Sequence, residues 1–205
     1  MKRGLKTGMW FSRKDYLSSA VFGTIVVCVG MGTFALMDWD KPDDIQAYST
    51  AEVEEYHTPV VKWTEYDVPS GKTSFKSYMS WKAITNTRSD QYRLQQECWT
   101  DTNGLRRCDE YYVIALGSYY THDIGDVFKI TLDNGKTFRA VVGDFKADRH
   151  TDERNMYTPT EDCGKCVIEF VVDTKALNKK AKKMGDISYI EGFDGNVKSI
   201  ERLEE

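Results

Sequence analysis

The chain has 205 residues, enough for one domain and an appendage. A formal net charge of -4 and the lack of a basic stretch with interleaved aromatics exclude a nucleic-acid-binding face. Aromatic residues make up 13%, which suits either an exposed sugar-binding surface or an ordinary β-rich core, and no solenoid-type repeat is present.

Residues 16–37 read YLSSAVFGTIVVCVGMGTFALM, an uncharged run of bilayer-spanning length. Lys2, Arg3, Lys6, Arg13 and Lys14 precede it, while Asp38, Asp40, Asp43 and Asp44 follow. This asymmetry predicts a cytoplasmic basic tail (1–15), a single-pass anchor (16–37) and an extracellular remainder in the cell membrane. A cleaved signal peptide ending near Thr33-Phe34-Ala35 is the rival, and the length of the run favours the anchor. Cys28 is read as a membrane-facing apolar residue.

Residues 38–72 are acidic, carry Pro42, Pro59 and Pro69, and are read as a stalk, with VVKWTEYDV (60–68) as a short strand or clasp. The domain then occupies 73–205. Strand signals are SYMSWKAIT (77–85), YYVIAL (111–116), FKITL (128–132), TFRAVV (137–142), VIEFVVD (167–173) and DISYI (186–190). Asp133-Asn134-Gly135 predicts a hairpin, and TKALNKKAKKM (174–184), ended by Gly185, is the helical stretch. Mainly β, with about six strands and one helix, this order suggests a small closed barrel preceded by the transmembrane helix.

Four cysteines follow the anchor: Cys98, Cys108, Cys163 and Cys166. Outside the cell an even number of thiols suggests disulfides, with Cys98 and Cys108 flanking a turn and Cys163-Gly-Lys-Cys166 able to close on itself. A shared four-cysteine zinc site is the alternative, and a redox role for the CxxC pair is disfavoured by its setting. Asp148, His150 and Asp152 alternate in a polar loop, read as solvated, with a hard-cation or zinc site as the alternative. No cofactor is expected. Two apolar runs end at carboxylates, Asp144 and Asp173, where partial desolvation raises a pKa enough for acid catalysis. Tyr119, Tyr120 and Trp99 are candidate sugar-stacking residues, with packing as the other reading, and Asp148 is a candidate polar contact.

The run YYVIALGSYYTHDIGDVFKITLDNGKTFRAVVGDFKAD, with VIEFVVD and KKMGDISYI after it, resembles the three-aspartate domain of bacterial cell-surface proteins. That family includes the C-terminal part of membrane-bound lytic murein transglycosylases. VIAL (113–116), residues 122–126, Gly143-Asp144, FVVD (170–173) and Lys183-Met184-Gly185 stand at the family's motif positions. The glycine-rich segment that follows the first aspartate in the family is replaced by FKADRHTDERNMY. The resemblance implies a six-stranded double-psi-type β-barrel with a saccharide groove, peptidoglycan glycan strands as partner, and glycosidic cleavage by a single acid. By that resemblance Asp173 is the acid and Asp144 its neighbour. A non-catalytic module binding glycan or protein is the alternative function.

Overall fold

The computed structural model describes residues 61–204. The chain divides into Met1–Glu55 and Tyr56–Glu205, and all described residues belong to the second unit. The basic tail, the expected anchor and the stalk as far as residue 60 lie outside them. No helix among the described residues is long and apolar enough to cross a membrane.

The described part is mainly β. Its strands are β1 (Trp63–Tyr66), β2 (Ser77–Ser80), β3 (Trp99–Thr100), β4 (Arg106–Cys108), β5 (Tyr111–Leu116), β6 (Val127–Leu132), β7 (Thr137–Phe145), β8 (Thr158–Thr160), β9 (Gly164–Cys166), β10 (Glu169–Val172) and β11 (Val197–Leu203). The two helices are α1 (Asp90–Glu97) and α2 (Lys179–Met184). One nine-stranded sheet runs in the order β1-β11-β6-β7-β5-β10-β2, with β4 joining β5 and β3 joining β4. Strands β8 and β9 form a separate hairpin. Nine strands stand where six were expected, and no ladder closes β1 onto β2. The pairs β5–β7 and β2–β10 are parallel, while the other pairs are antiparallel. Strand β1 lies in the segment read as stalk, yet it pairs with β11 from Trp63–Leu203 to Tyr66–Ile200.

Alternation along β6 and β7 sends Phe128, Ile130, Phe138, Ala140 and Val142 into the main core with Ile114, Leu116, Phe170 and Val172. Tyr112, Phe138, Phe170 and Phe193 meet mostly edge to face, with ring centroids 5.2 to 6.0 Å apart. The other face carries Val113, Val141 and Val171, which Leu94 of α1 covers.

Helix α1 was not expected, the sequence having shown its one helical stretch at 174–184. Ser89 starts it, its Oγ accepting from Tyr92 N (3.2 Å), and DQYRLQQE holds no glycine, proline or β-branched residue to oppose it. Gly143 forms a bulge in the β5–β7 ladder beneath the helix. A Cβ there would stand 2.3 Å from Val113 Cγ1 and 3.3 Å from Leu94 Cδ2, so glycine lets the helix approach the sheet. Helix α2 is shorter than expected, because Asn178 caps it and residues 174–177 form a turn from which only Leu177 is buried. The expected strand at 186–190 is instead a 3-10 turn, Ile187–Tyr189, opened by Asp186 accepting from Ser188 N (2.8 Å).

Candidate functional site

Asp144 sits near the end of β7, on the face that α1 covers. Its register partner is Ala115, and Ala115 pairs on its other edge with Glu169 of β10. The two carboxylates therefore flank one small residue. Burial pushes the Asp144 carboxyl above its usual range, with the Glu169 charge adding to it, against hydrogen bonds from Phe145 N and Gln91. Lys146 Nζ stands 4.0 Å from Glu169 Oε2, 3.5 Å from Cys166 Sγ and 3.4 Å from Thr158 Oγ1.

Asp173 is elsewhere. Strand β10 starts at Glu169, across Ala115 from Asp144, and Asp173 follows its far end, roughly 13 Å further along the strand. The cluster of Leu94, Val113, Val141 and Val171 packs on the same face. Asp144 and Asp173 are thus not brought together into one acid pair. Asp173 Oδ1 accepts from Lys175 N (2.9 Å), and that bond, with Lys82 and Trp81 nearby, holds its carboxyl below the usual range. A carboxylate held ionised is poorly suited to donate a proton.

Two acids of the inserted loop are also occupied. Asp152 Oδ1 accepts from Met156 N (2.7 Å) and Tyr157 N (3.1 Å), and Asp148 Oδ1 accepts from Ser118 Oγ (2.8 Å). The loop folds over the turn after β5, and Met156 enters the core at 3% exposure. His150 receives a hydrogen bond from Arg149 Nε. Among the described residues no three His, Cys, Asp or Glu side chains converge as metal ligands.

The three aromatic candidates separate. Tyr120 is a core residue, 1% exposed, with its hydroxyl donating to Asp67 O (3.4 Å), so it offers no stacking surface. Tyr119 packs edge-on against it and carries the Arg154 guanidinium over its ring at 5.0 Å. Trp99 is 51% exposed but lies on β3, beside the start of β5, whereas Tyr119 lies past the end of β5.

The four cysteines are free. Cys98 and Cys108 stand at the next position of the β3–β4 ladder beyond the Trp99–Arg107 pair. The CxxC pair does not close on itself: Cys166 Sγ is buried against Ser77 Oγ (3.1 Å), Ile168 O (3.3 Å) and Lys146 Nζ.

A cleft of about 390 Å³ opens where residues 67–70, the inserted loop and Lys165 meet, lined by Asp67, Asp152, Arg154, Tyr157 and Lys165 among others. Arg154 bonds Asp67 Oδ2 (2.9 Å) and Tyr119 Oη (3.2 Å), which holds the Asp67 carboxyl down and the guanidinium pKa up. Lys165 Nζ donates to Ser70 O (2.8 Å) and lies 4.8 Å from the centre of the Tyr157 ring. Sequence reasoning missed Arg154, Tyr157 and Lys165, because the cleft joins segments distant along the chain and each looks like ordinary loop. No family model matches the chain, and no curated protein matches it.

Proposed function

We propose that this is a membrane-tethered extracytoplasmic protein whose β domain binds cell-wall glycan without cleaving it. The observation that carries the reading is how the acids are used. Asp148, Asp152 and Asp173 are occupied by backbone or hydroxyl donors, and Asp173 is held ionised far from Asp144. The cleft supplies groups that a sugar takes: the half-buried ring of Tyr157, donors at Arg154 and Lys165, and the exposed carboxylate of Asp67. The parallel β5–β7 and β2–β10 pairs support relating the sheet to the double-psi type that the family resemblance implies.

A catalytic reading keeps one favourable observation, the raised pKa of Asp144, since lytic cleavage needs a single acid. One experiment separates the two. The protein is incubated with purified sacculi, pelleted, and the supernatant is analysed by mass for anhydro-muropeptides. Co-sedimentation with no soluble product is expected. Products released by wild type but not by Asp144→Asn replace binding with cleavage, and absence of both sedimentation and release removes the glycan altogether.

A further inference from the structure

Cys98 is the residue that caps the C-terminal end of α1, and Cys108 is the last residue of β4. Trp99 pairs with Arg107 and Thr100 with Arg106, so one step outward the ladder sets Cys98 opposite Cys108. Both are partly exposed, unlike Cys166 at 1%. Their surroundings differ. Cys98 Sγ donates to Leu94 O at 3.0 Å, at a helix end whose partial negative charge opposes a thiolate. Cys108 has no such carbonyl in its hydrogen bonding; when it is a thiolate, the single S–H of Cys98 is able to turn from Leu94 O and donate to it. That bond lowers the Cys108 pKa, and the same bond, together with burial, raises that of Cys98. The guanidinium of Arg106 favours both thiolates from the neighbouring position.

We propose that Cys98 and Cys108 are a redox-active dithiol, Cys108 attacking and Cys98 resolving, that exchanges with low-molecular-weight disulfides. In the first step Cys108 gives its proton to water and its thiolate attacks one sulfur of the disulfide. The external S–S bond breaks, one external thiolate leaves and takes a proton, and a mixed disulfide remains on Cys108. Cys98 then loses its proton and attacks the Cys108 sulfur, expelling the second external thiol. The pair has given up two electrons and two protons, and the disulfide has become two thiols. The new bond ties the end of α1 to β4 beside the exposed Trp99. The arrangement is that of a lower-pKa attacker with an adjacent resolving thiol.

The test uses the full-length chain in glutathione buffers of graded ratio, followed by alkylation and peptide mapping. One Cys98–Cys108 bond is expected, reversible across the series, with Cys163 and Cys166 remaining thiols. In reduced wild type, Cys108 should react with iodoacetamide about tenfold faster than Cys98. Cys98→Ser, whose hydroxyl keeps the bond to Leu94 O, should accumulate a glutathione adduct on Cys108, and Cys108→Ser should accumulate little on Cys98. A bond that survives excess reduced glutathione makes the pair structural and overturns the proposal. Equal alkylation rates, equal adducts on both variants, or a bond formed at Cys163–Cys166 instead overturn it as well. The wild-type alkylation rates decide the matter even where a serine variant fails to fold.

Discussion

Asp144 and Glu169 lie on either side of Ala115, two acidic residues held in one row across three strands. The row explains why Asp144 is raised: it is partly buried under α1 and faces a second negative group. It also shows what β10 does to the expected acid pair. The strand takes its first residue to Asp144 and carries Asp173 away.

Asp144→Asn should stabilise the domain near neutral pH, by at most about 1 kcal/mol. The carboxyl has a folded pKa above its unfolded value, so it favours folding below the unfolded value and that contribution is lost as pH rises through the folded one. The gain from Asn should therefore vanish in acid. Asp173 has the opposite sign: its contribution is present above the unfolded pKa and is lost as pH falls through the lowered folded value. Urea melts of both Asn variants at neutral and acidic pH measure this, and an equal gain at both pH values for Asp144→Asn counts against the assigned cause.

Lys76 is fully buried, its Nζ donating to Ser74 O (2.9 Å) and Gly195 O (2.7 Å). Burial lowers its pKa from 10.5 to about 8, against the pull of Asp186, Cys166, Asp194 and Asp133. Between those values the unfolded chain binds more protons than the folded one, so this residue's contribution to stability grows as pH rises. Lys76→Met should accordingly cost more at about pH 10 than at about pH 7, by about 2–3 kcal/mol. Denaturation of both proteins at the two pH values checks it. A cost that shrinks with rising pH reverses the sign and rejects the assignment.

Gly117 lies directly under the inserted loop. A Cβ there would fall 1.8 Å from Asn155 O, a backbone atom that Tyr119 N also uses. Gly117→Ala should displace the loop, withdraw Met156 from the core and cost about 1–3 kcal/mol or more. Limited proteolysis should then cut near residues 150–155 in the variant before the wild type. An unchanged cleavage pattern means that the loop is not seated as described.

The cleft has its own test, independent of the cysteines. Arg154→Ala removes a donor, a ring-stacked cation and the partner of Asp67. Co-sedimentation with sacculi should fall about tenfold, while the melting temperature changes little because the ion pair is exposed. Undiminished binding moves the glycan site away from the cleft, with the exposed Trp99 the next place to examine.

Much of the sheet was legible because strands with one buried face write that face into every second residue. FKITL and the start of TFRAVV fall within β6 and β7 for this reason, while YYVIAL in β5 shows instead as a short apolar run buried on both faces. Helix α1 was not legible: eight residues give scarcely two turns, and Tyr92 and the following Trp99 look like strand residues until Leu94 and Gln95 are seen facing the sheet. Asp144 and Asp173 were both found as carboxylates at the ends of apolar runs. Whether they meet was a matter of strand direction, and β10 runs antiparallel to β5 while β7 runs parallel to it. Local pattern thus determined which residues are buried and where the acids fall in the chain. Pairing between distant strands decided which acids are neighbours, what the inserted loop covers and where the cleft opens, because those depend on contacts between segments that carry no mark of one another.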